Sequence, residues 1–335
     1  MKNKCLSVKD GGNKTPSNHK DNKVDCLFGP VPSRRLGLSL GIDLIPHKTC
    51  SFNCIYCECG ATTNLTVSRR EYVPVRGVTK ELGAFLSKKP ALDFITFAGS
   101  GEPTLHSRIG DIIAVIKDNY PQYKICVLTN GSLFHLKSVR DALMRADKVI
   151  PSLDAVSVAA FKKLNRPHSA VNLKRLIKGL EIFGRDYAGN YAVEVFIVPG
   201  INDTLDELAK LKKALMKIKP SSVQLNSLVR PGTEASIAEA SAGKLKKIAA
   251  FFAPLEVELA GAPAKKISPA FKDGVDDKIV SAVSRRPLTL SDLAAVTGLR
   301  VVELAKIADA LRASGRVVLI KHGRKNFIKK AEKKI

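Results

Sequence analysis

Residues 93–116 read DFITFAGSGEPTLHSRIGDIIAVI, and this stretch decides the fold. Asp93–Ala98 is a short β-rich run closed by Gly99 and Gly101. Ile109, Ile112, Ile113 and Ile116 then recur at helical spacing. The same alternation repeats on both sides. Further candidate strands are Leu38–Ile45, Lys124–Leu128, Lys148–Leu153, Ala192–Val198 and Ser222–Leu228. Leu173, Leu176, Ile177 and Leu180 mark one intervening helix; Leu205, Leu208, Leu211 and Leu215 mark another. About six strand–helix units predict a parallel α/β architecture. Near-continuous apolar runs such as Val195–Val198 fit a sheet covered on both faces. A closed eight-unit barrel needs two more units than this region supplies. The residues leave two arrangements, an open six-unit α/β barrel or a doubly wound sheet.

Outward from this region the composition changes. Residues 1–27 are polar, without apolar periodicity, and read as a flexible tail before a domain at 28–260. Residues 261–272, with the run GAPAKKISP, read as a linker. In 273–335, Asp276–Ser284 reads as a helix and Ser291–Thr297 as a second, with Ser291 as its N-cap. Val301–Ala313 is a third, with Val301, Leu304, Ile307, Ala308 and Leu311 on one face and Gly315 as the terminator. RVVLIKHGRKNFIKK then gives two short strands around His322, Gly323 and Arg324. This is the layout of a winged helix–turn–helix module.

The chain has 335 residues, 45% hydrophobic and 26% charged, which excludes a wholly disordered or fibrous protein. No window is long and apolar enough for a membrane span, and the first residues lack the apolar core of a secretory signal. A cytoplasmic protein with no membrane partner is expected. Lys and Arg number 55 against 31 Asp and Glu, for a net charge of +24. This excess argues for a polyanionic partner, nucleic acid first. In the last module the charge gathers on the wing and tail, at Arg316, Lys321, Arg324, Lys325, Lys329, Lys330, Lys333 and Lys334 against Glu332. The third helix carries mixed charge, so phosphate contact is expected more than base reading. A protein-interaction module is the competing reading.

Four of seven cysteines fall within ten residues, at Cys50, Cys54, Cys57 and Cys59. In a large chain expected in a reducing compartment, such clustering points to metal or catalysis rather than disulfides. Cys50, Cys54 and Cys57 form C-x3-C-x2-C on a loop after the first candidate strand. Three adjacent thiolates suit a soft inorganic centre. On a four-iron cube they leave one iron open. A zinc site using Cys59 as well is the alternative, although structural zinc usually takes two separated ligand pairs.

The C-x3-C-x2-C run with Tyr56 inside it resembles the radical S-adenosylmethionine (SAM) superfamily. The resemblance covers about 28–260 and implies a partial, open, six-unit parallel α/β barrel. It implies a 4Fe–4S cluster on Cys50, Cys54 and Cys57, with SAM chelating the open iron. Reductive cleavage of SAM then gives a 5′-deoxyadenosyl radical. Gly99, Ser100, Gly101 and Glu102 resemble the family's Gly-Gly-Glu motif, which receives the amino group of SAM, with Ser100 as a departure. Thr129 and Asn130, and Ser152 and Asp154, match strand-end positions that reach its ribose and carboxylate. Open α/β sheets bind ligands at those same strand ends. Val198 matches a strand end that packs on adenine. For Ser152 and Asp154 the alternative is helix capping; Asn202 or Asp203 can likewise cap the helix after Val198. Tentative substrate residues are Arg34 and Arg35, Gln224 and Asn226 on one strand face, and Arg230. Asn165, Arg166 and His168 are weaker candidates.

The subgroup most resembled contains iron–sulfur oxidoreductases related to wybutosine-type tRNA modification, some with a C-terminal winged helix. RNA, rather than DNA, is therefore the expected nucleic acid, and a reductase or a flavodoxin- or ferredoxin-type protein the expected electron donor. Only Cys5 and Cys26 lie upstream, short of the three cysteines of the wyosine enzyme's second cluster. A radical enzyme acting on a protein or metabolite, and a DNA-binding iron–sulfur sensor, are the alternatives.

Overall fold

A computed structural model describes residues 26–33, 35–259, 274–323 and 325–331. Arg34, Arg324, most of the expected tail, the expected linker at 261–272 and the last basic residues, Lys333 and Lys334, lie outside them. The elements run β1 (Leu27–Ser33), β2 (Gly37–Ile42), β3 (Thr49–Cys50), β4 (Asn64–Leu65), α1 (Val75–Leu86) and β5 (Phe94–Phe97). After a 3-10 turn at Pro103–Leu105 come α2 (Ile109–Asn119), β6 (Ile125–Thr129), α3 (Lys137–Leu143), β7 (Lys148–Pro151), α4 (Val158–Asn165) and α5 (Leu173–Asp186). Then follow β8 (Asn190–Ile197), α6 (Leu205–Ile218), β9 (Ser222–Ser227), α7 (Ala242–Phe251) and β10 (Val257–Leu259). The C-terminal part holds α8 (Val275–Arg285), α9 (Leu290–Thr297), α10 (Val301–Ala313), β11 (Val317–His322) and β12 (Lys325–Lys330).

All six expected strands form, within one mostly parallel sheet of order β1-β2-β5-β6-β7-β8-β9-β10. Neighbours from β2 through β9 follow chain order and pair in parallel. The two faces bury separate cores. Ile95, Ile125, Val127, Val193, Val195 and Val223 join the inner faces of α1 to α7 in one cluster. Leu36, Cys126, Ile150 and Ala192 form a small second cluster that includes no helix residue. With the crossover helices on one face only, the doubly wound alternative falls away; the sheet curls as a partial barrel around the second face.

Two strands of this sheet escape the sequence pattern. β1 pairs antiparallel with β2 and carries Pro30, tolerable on an edge. The folded region thus begins before the expected boundary, with Cys26 buried and its thiol donating to Glu81. β10 is only three residues long and closes the other edge beside β9. Leu205 opens α6 but is 75% exposed; Leu208, Leu211 and Leu215 carry the packing.

The C-terminal part has its own core around Ile279, Val283, Leu293, Leu304, Leu311 and Ile328. Thr289, not Ser291, caps α9, because Thr289 and Asp292 satisfy each other's backbone N–H groups in a capping box. Gly298 and Gly315 take left-handed turns that end α9 and α10. Val301 is 45% exposed and lies off the packed face of α10. β11 and β12 form an antiparallel hairpin tied back by Leu288 opposite Ile328. Helices α8 and α9 pack against β1. Among the described residues, no helix is long and apolar enough to cross a membrane.

Candidate active site

The cysteine loop leaves β3 at Cys50 and crosses the carboxyl ends of the strands. Backbone bonds fix it on two sides. Lys48 N donates to Ser100 O and Glu102 N to Thr49 O, at 3.2 Å each. Ile55 N donates to Leu164 O and Asn53 N to Asn165 O, at 3.0 Å each. The glycines of the 99–102 turn serve this packing. A Cβ on Gly101 would sit 2.1 Å from Thr49 O, and one on Gly99 would strike Asp43. Asp43 in turn accepts from Ser100 N and Oγ, at 2.9 Å each, which gives Ser100 a positional role.

Every sulfur of the three-cysteine motif meets an N–H donor. Cys50 Sγ accepts from Phe52 N and Asn130 Nδ2, at 3.5 Å each. Cys54 Sγ accepts from Asn165 Nδ2 at 3.5 Å, and Cys57 Sγ from Lys48 Nζ at 3.2 Å. Burial pushes the Cys50 thiol up to about 12 and raises Cys54 too. Cys57 is pulled down by its hydrogen bond with Cys59 and by the Lys48 charge. Burial alone would lower Lys48, but the surrounding sulfurs outweigh it and hold the ammonium charged. Cys59 also donates to Gly99 O at 3.6 Å.

Behind two of the cysteines stands a buried carboxylate linked through an asparagine. Glu102 Oε1 accepts from Thr104 N (2.9 Å), Thr104 Oγ1 (2.6 Å) and Thr129 Oγ1 (2.6 Å). Its Oε2 accepts only from Asn130 N at 2.7 Å, so that oxygen keeps an acceptor position. Asp154 accepts from Tyr56 Oη (2.5 Å), Asn165 Nδ2 (2.7 Å) and Phe196 N (2.9 Å). Burial raises both carboxyls against these bonds. Tyr56 stacks on Phe196 with ring centroids 4.0 Å apart. Asn202, wholly buried, donates to Asp154 O and Phe196 O and accepts from Val198 N, at 2.8 Å each.

The structure thus gathers Tyr56, Gly99 to Glu102, Thr129, Asn130 and Asp154 around the cysteine loop, with Val198 tied to Asp154 through Asn202. Ser152 bridges to Glu194 on the next strand. Neither Ser152 nor Asp154 caps α4, whose N-cap is Ser157. The N-cap of α6 is Thr204, not Asn202 or Asp203. The weak candidate Asn165 is central, whereas Arg166 pairs with Glu234 and His168 Nδ1 accepts from Ala170 N. Lys48 and Asp43 carried no sequence signal, and Asn202 was read only as a possible helix cap, because their roles depend on contacts that the fold makes.

The tentative substrate residues separate. Arg35 pairs with Glu194 inside the barrel, with Asn226 Nδ2 3.5 Å from the same carboxylate. Gln224 donates to Glu258 at 2.8 Å. Arg230 is 7% exposed and lies between Glu58 (3.5 Å) and Asp292 of α9 (3.3 Å). It borders a cavity of about 470 Å³ between the barrel and the C-terminal helices; Arg35, Gln224 and Asn226 do not.

The donor set suits an iron–sulfur centre. Three thiolates on one short loop, each with an N–H donor, provide the soft ligands and sulfur hydrogen bonds such centres use. Among the described residues no set of His, Cys, Asp and Glu closes around a single ion. A four-iron cube needs no such closure, since it holds its thiolates farther apart than one ion does.

Residues 44–215 match the model of the Radical SAM superfamily. The chain belongs to the radical SAM superfamily. Its cofactors are those of the family, a 4Fe–4S cluster and SAM. A protein called GTPase Obg from Brachyspira hyodysenteriae is 36% identical over 308 residues, 91% of this chain and 45% of that protein. The chain therefore spans less than half of this relative's length. The UPF0026 protein MJ1312 of Methanocaldococcus jannaschii is 34% identical over 227 residues, 67% of this chain and 70% of that one. Among solved structures, Streptococcus suis SuiB bound to SAM shares the fold at TM-score 0.51 and 14% identity, covering 66% of this chain and 50% of that one.

Proposed function

We propose that this radical SAM enzyme carries its cluster on Cys50, Cys54 and Cys57 and acts on RNA. The observation that carries the cluster assignment is the N–H donor at each of these sulfurs. When bound, the cluster and SAM supply a 5′-deoxyadenosyl radical by reductive cleavage of the sulfonium. The chain's own residues do the positioning. Asn130 and Asn165 orient Cys50 and Cys54, and Lys48 offsets the negative charge at Cys57. Glu102 Oε2 is placed to receive the amino group of SAM, while Thr129 and Asn130 hold Glu102 itself. Asp154 fixes Tyr56 and the end of β8, and Val198, just beyond that strand, would pack on adenine. Ser152, just after β7, would reach the ribose and carboxylate. Fixed geometry of this kind lets one hydrogen be selected.

The RNA reading takes α8 to β12 as a winged helix. Three basic residues there are paired: Arg300 with Glu303, Arg312 with Asp309 and Arg316 with Asp277. The hairpin lysines Lys321, Lys325 and Lys330 are exposed. The charges of Lys330 and Lys329 also reach His47, just before the cysteine loop. The exposed basic hairpin fits a grip on phosphates rather than base reading by α10. The setting is a cytoplasmic one, with a flavodoxin, ferredoxin or reductase as electron donor.

Nucleoside mass spectrometry of tRNA and rRNA from a deletion strain tests the substrate class. A missing modification that returns with the wild-type gene but not with Cys54→Ala supports it. An unchanged profile refutes RNA and leaves a protein or metabolite substrate.

A further inference from the structure

The cavity between barrel and C-terminal helices has a feature the cofactor site does not explain. Its walls come from the β1–β2 edge, the residues after the cysteine loop, and α8 and α9. Phe28, Val31, Leu36, Leu128, Leu288 and Val296 make much of it apolar. A volume of about 470 Å³ suits a small molecule. Glu58, Cys59 and Gly99 also line it, so it adjoins the cysteine loop and the 99–102 turn.

Three arginines face this space: Arg230, Arg285 and Arg286. Arg230 is braced by Glu58 and Asp292. Arg285 lies over the Phe28 ring, 4.5 Å from its centroid. Arg286 differs. It lines the same cavity as Arg230, Glu58, Cys59 and Asp292, yet no described residue hydrogen-bonds or ion-pairs with its guanidinium. Arg286 is half-buried there. Two carboxylates thus face three guanidiniums. A guanidinium stays charged when desolvated, so a sheltered one needs an anion. Burial, then the repulsion from Arg230, weakens proton binding at Arg286.

We propose that this cavity is the substrate pocket and takes a small organic anion, a phosphate or carboxylate on a largely apolar body, whose charge pairs with Arg286 beside Arg230. The inference rests on the radical SAM reading of the adjoining site but not on the RNA reading. The C-terminal helices then form one wall of the reaction chamber. A planar guanidinium fork matches phosphate and carboxylate alike, so the source of the anion is an experimental matter.

The test measures melting of the anaerobically reconstituted full chain with SAM. The probes are uridine 5′-monophosphate, hexanoate, inorganic phosphate and a short 5′-phosphorylated oligoribonucleotide. Wild type, Arg286→Met and Arg286→Lys are compared. Because no described residue hydrogen-bonds or ion-pairs with the Arg286 guanidinium, Arg286→Met is expected to melt no lower than wild type without a probe. At least one organic probe raises the wild-type melting temperature, and Arg286→Met weakens its affinity at least tenfold, with Arg286→Lys between. An effect confined to the oligonucleotide assigns the anion to RNA; an effect of a monomer assigns it to a free metabolite. Equal shifts in wild type and Arg286→Met, or no shift with any probe, overturn the proposal. Release of 5′-deoxyadenosine by the wild-type chain is measured separately, so failure of the radical reading is distinguishable.

Discussion

The cysteine end of the barrel and the cavity beside it are neighbours finished in opposite ways. At the cysteine end, Glu102 and Asp154 together accept seven hydrogen bonds from within the chain. Each motif sulfur there has a donor. Across the cavity, three arginines meet two carboxylates, and one guanidinium has no hydrogen-bond or ion-pair partner among the described residues. The difference separates what the fold must hold fixed from what it must leave to be completed. A cofactor that directs a radical needs a set geometry before substrate arrives. A substrate pocket gains selectivity when one buried charge is satisfied only by the right ligand.

Three changes sharpen that contrast. The largest is expected at the saturated end. Asn202→Ala strands Val198 N, Asp154 O and Phe196 O inside the core and should cost about 3 kcal/mol. Urea unfolding with an unchanged slope would show this; a loss below about 1 kcal/mol would mean the network is not rigid. Next comes the bridge between the two regions. Arg230→Met leaves Glu58 and Asp292 facing each other unpaired and should cost about 2 kcal/mol, less than a fully buried pair because both carboxylates are partly solvated. Hydrogen exchange should speed up in α9 more than in α5; a uniform change would sever the proposed link. The smallest is local to the C-terminal core. Thr289→Ala removes the cap of α9 and should cost about 1 kcal/mol, whereas Ser291→Ala should cost a few tenths at most, read from the melting of each variant.

Much of the barrel was legible because each core strand is an apolar run bounded by turn residues and followed by a helical repeat. β1 was not, since Pro30 and Pro32 in a short run read as loop, and only pairing with β2 makes it a strand. β10 was missed because three residues carry no period. The cysteines and the 99–102 turn stood out by spacing. Asn165 looked weak because its value lies in reaching Cys54, Tyr56 and Asp154 from the end of α4. Arg286 gave no signal at all: an arginine after a helix reads as surface until the fold closes β1 and α9 around it.

The account's central claim is that three thiolates hold an open-cornered cluster on which SAM is cleaved. The most direct measurement is 5′-deoxyadenosine released by the anaerobically reconstituted chain with dithionite and SAM, beside its iron and sulfide content. The account predicts bound iron and sulfide with steady release in wild type, and release at the enzyme-free level in Cys54→Ala. Zinc in place of iron and sulfide, or full release by Cys54→Ala, would contradict it.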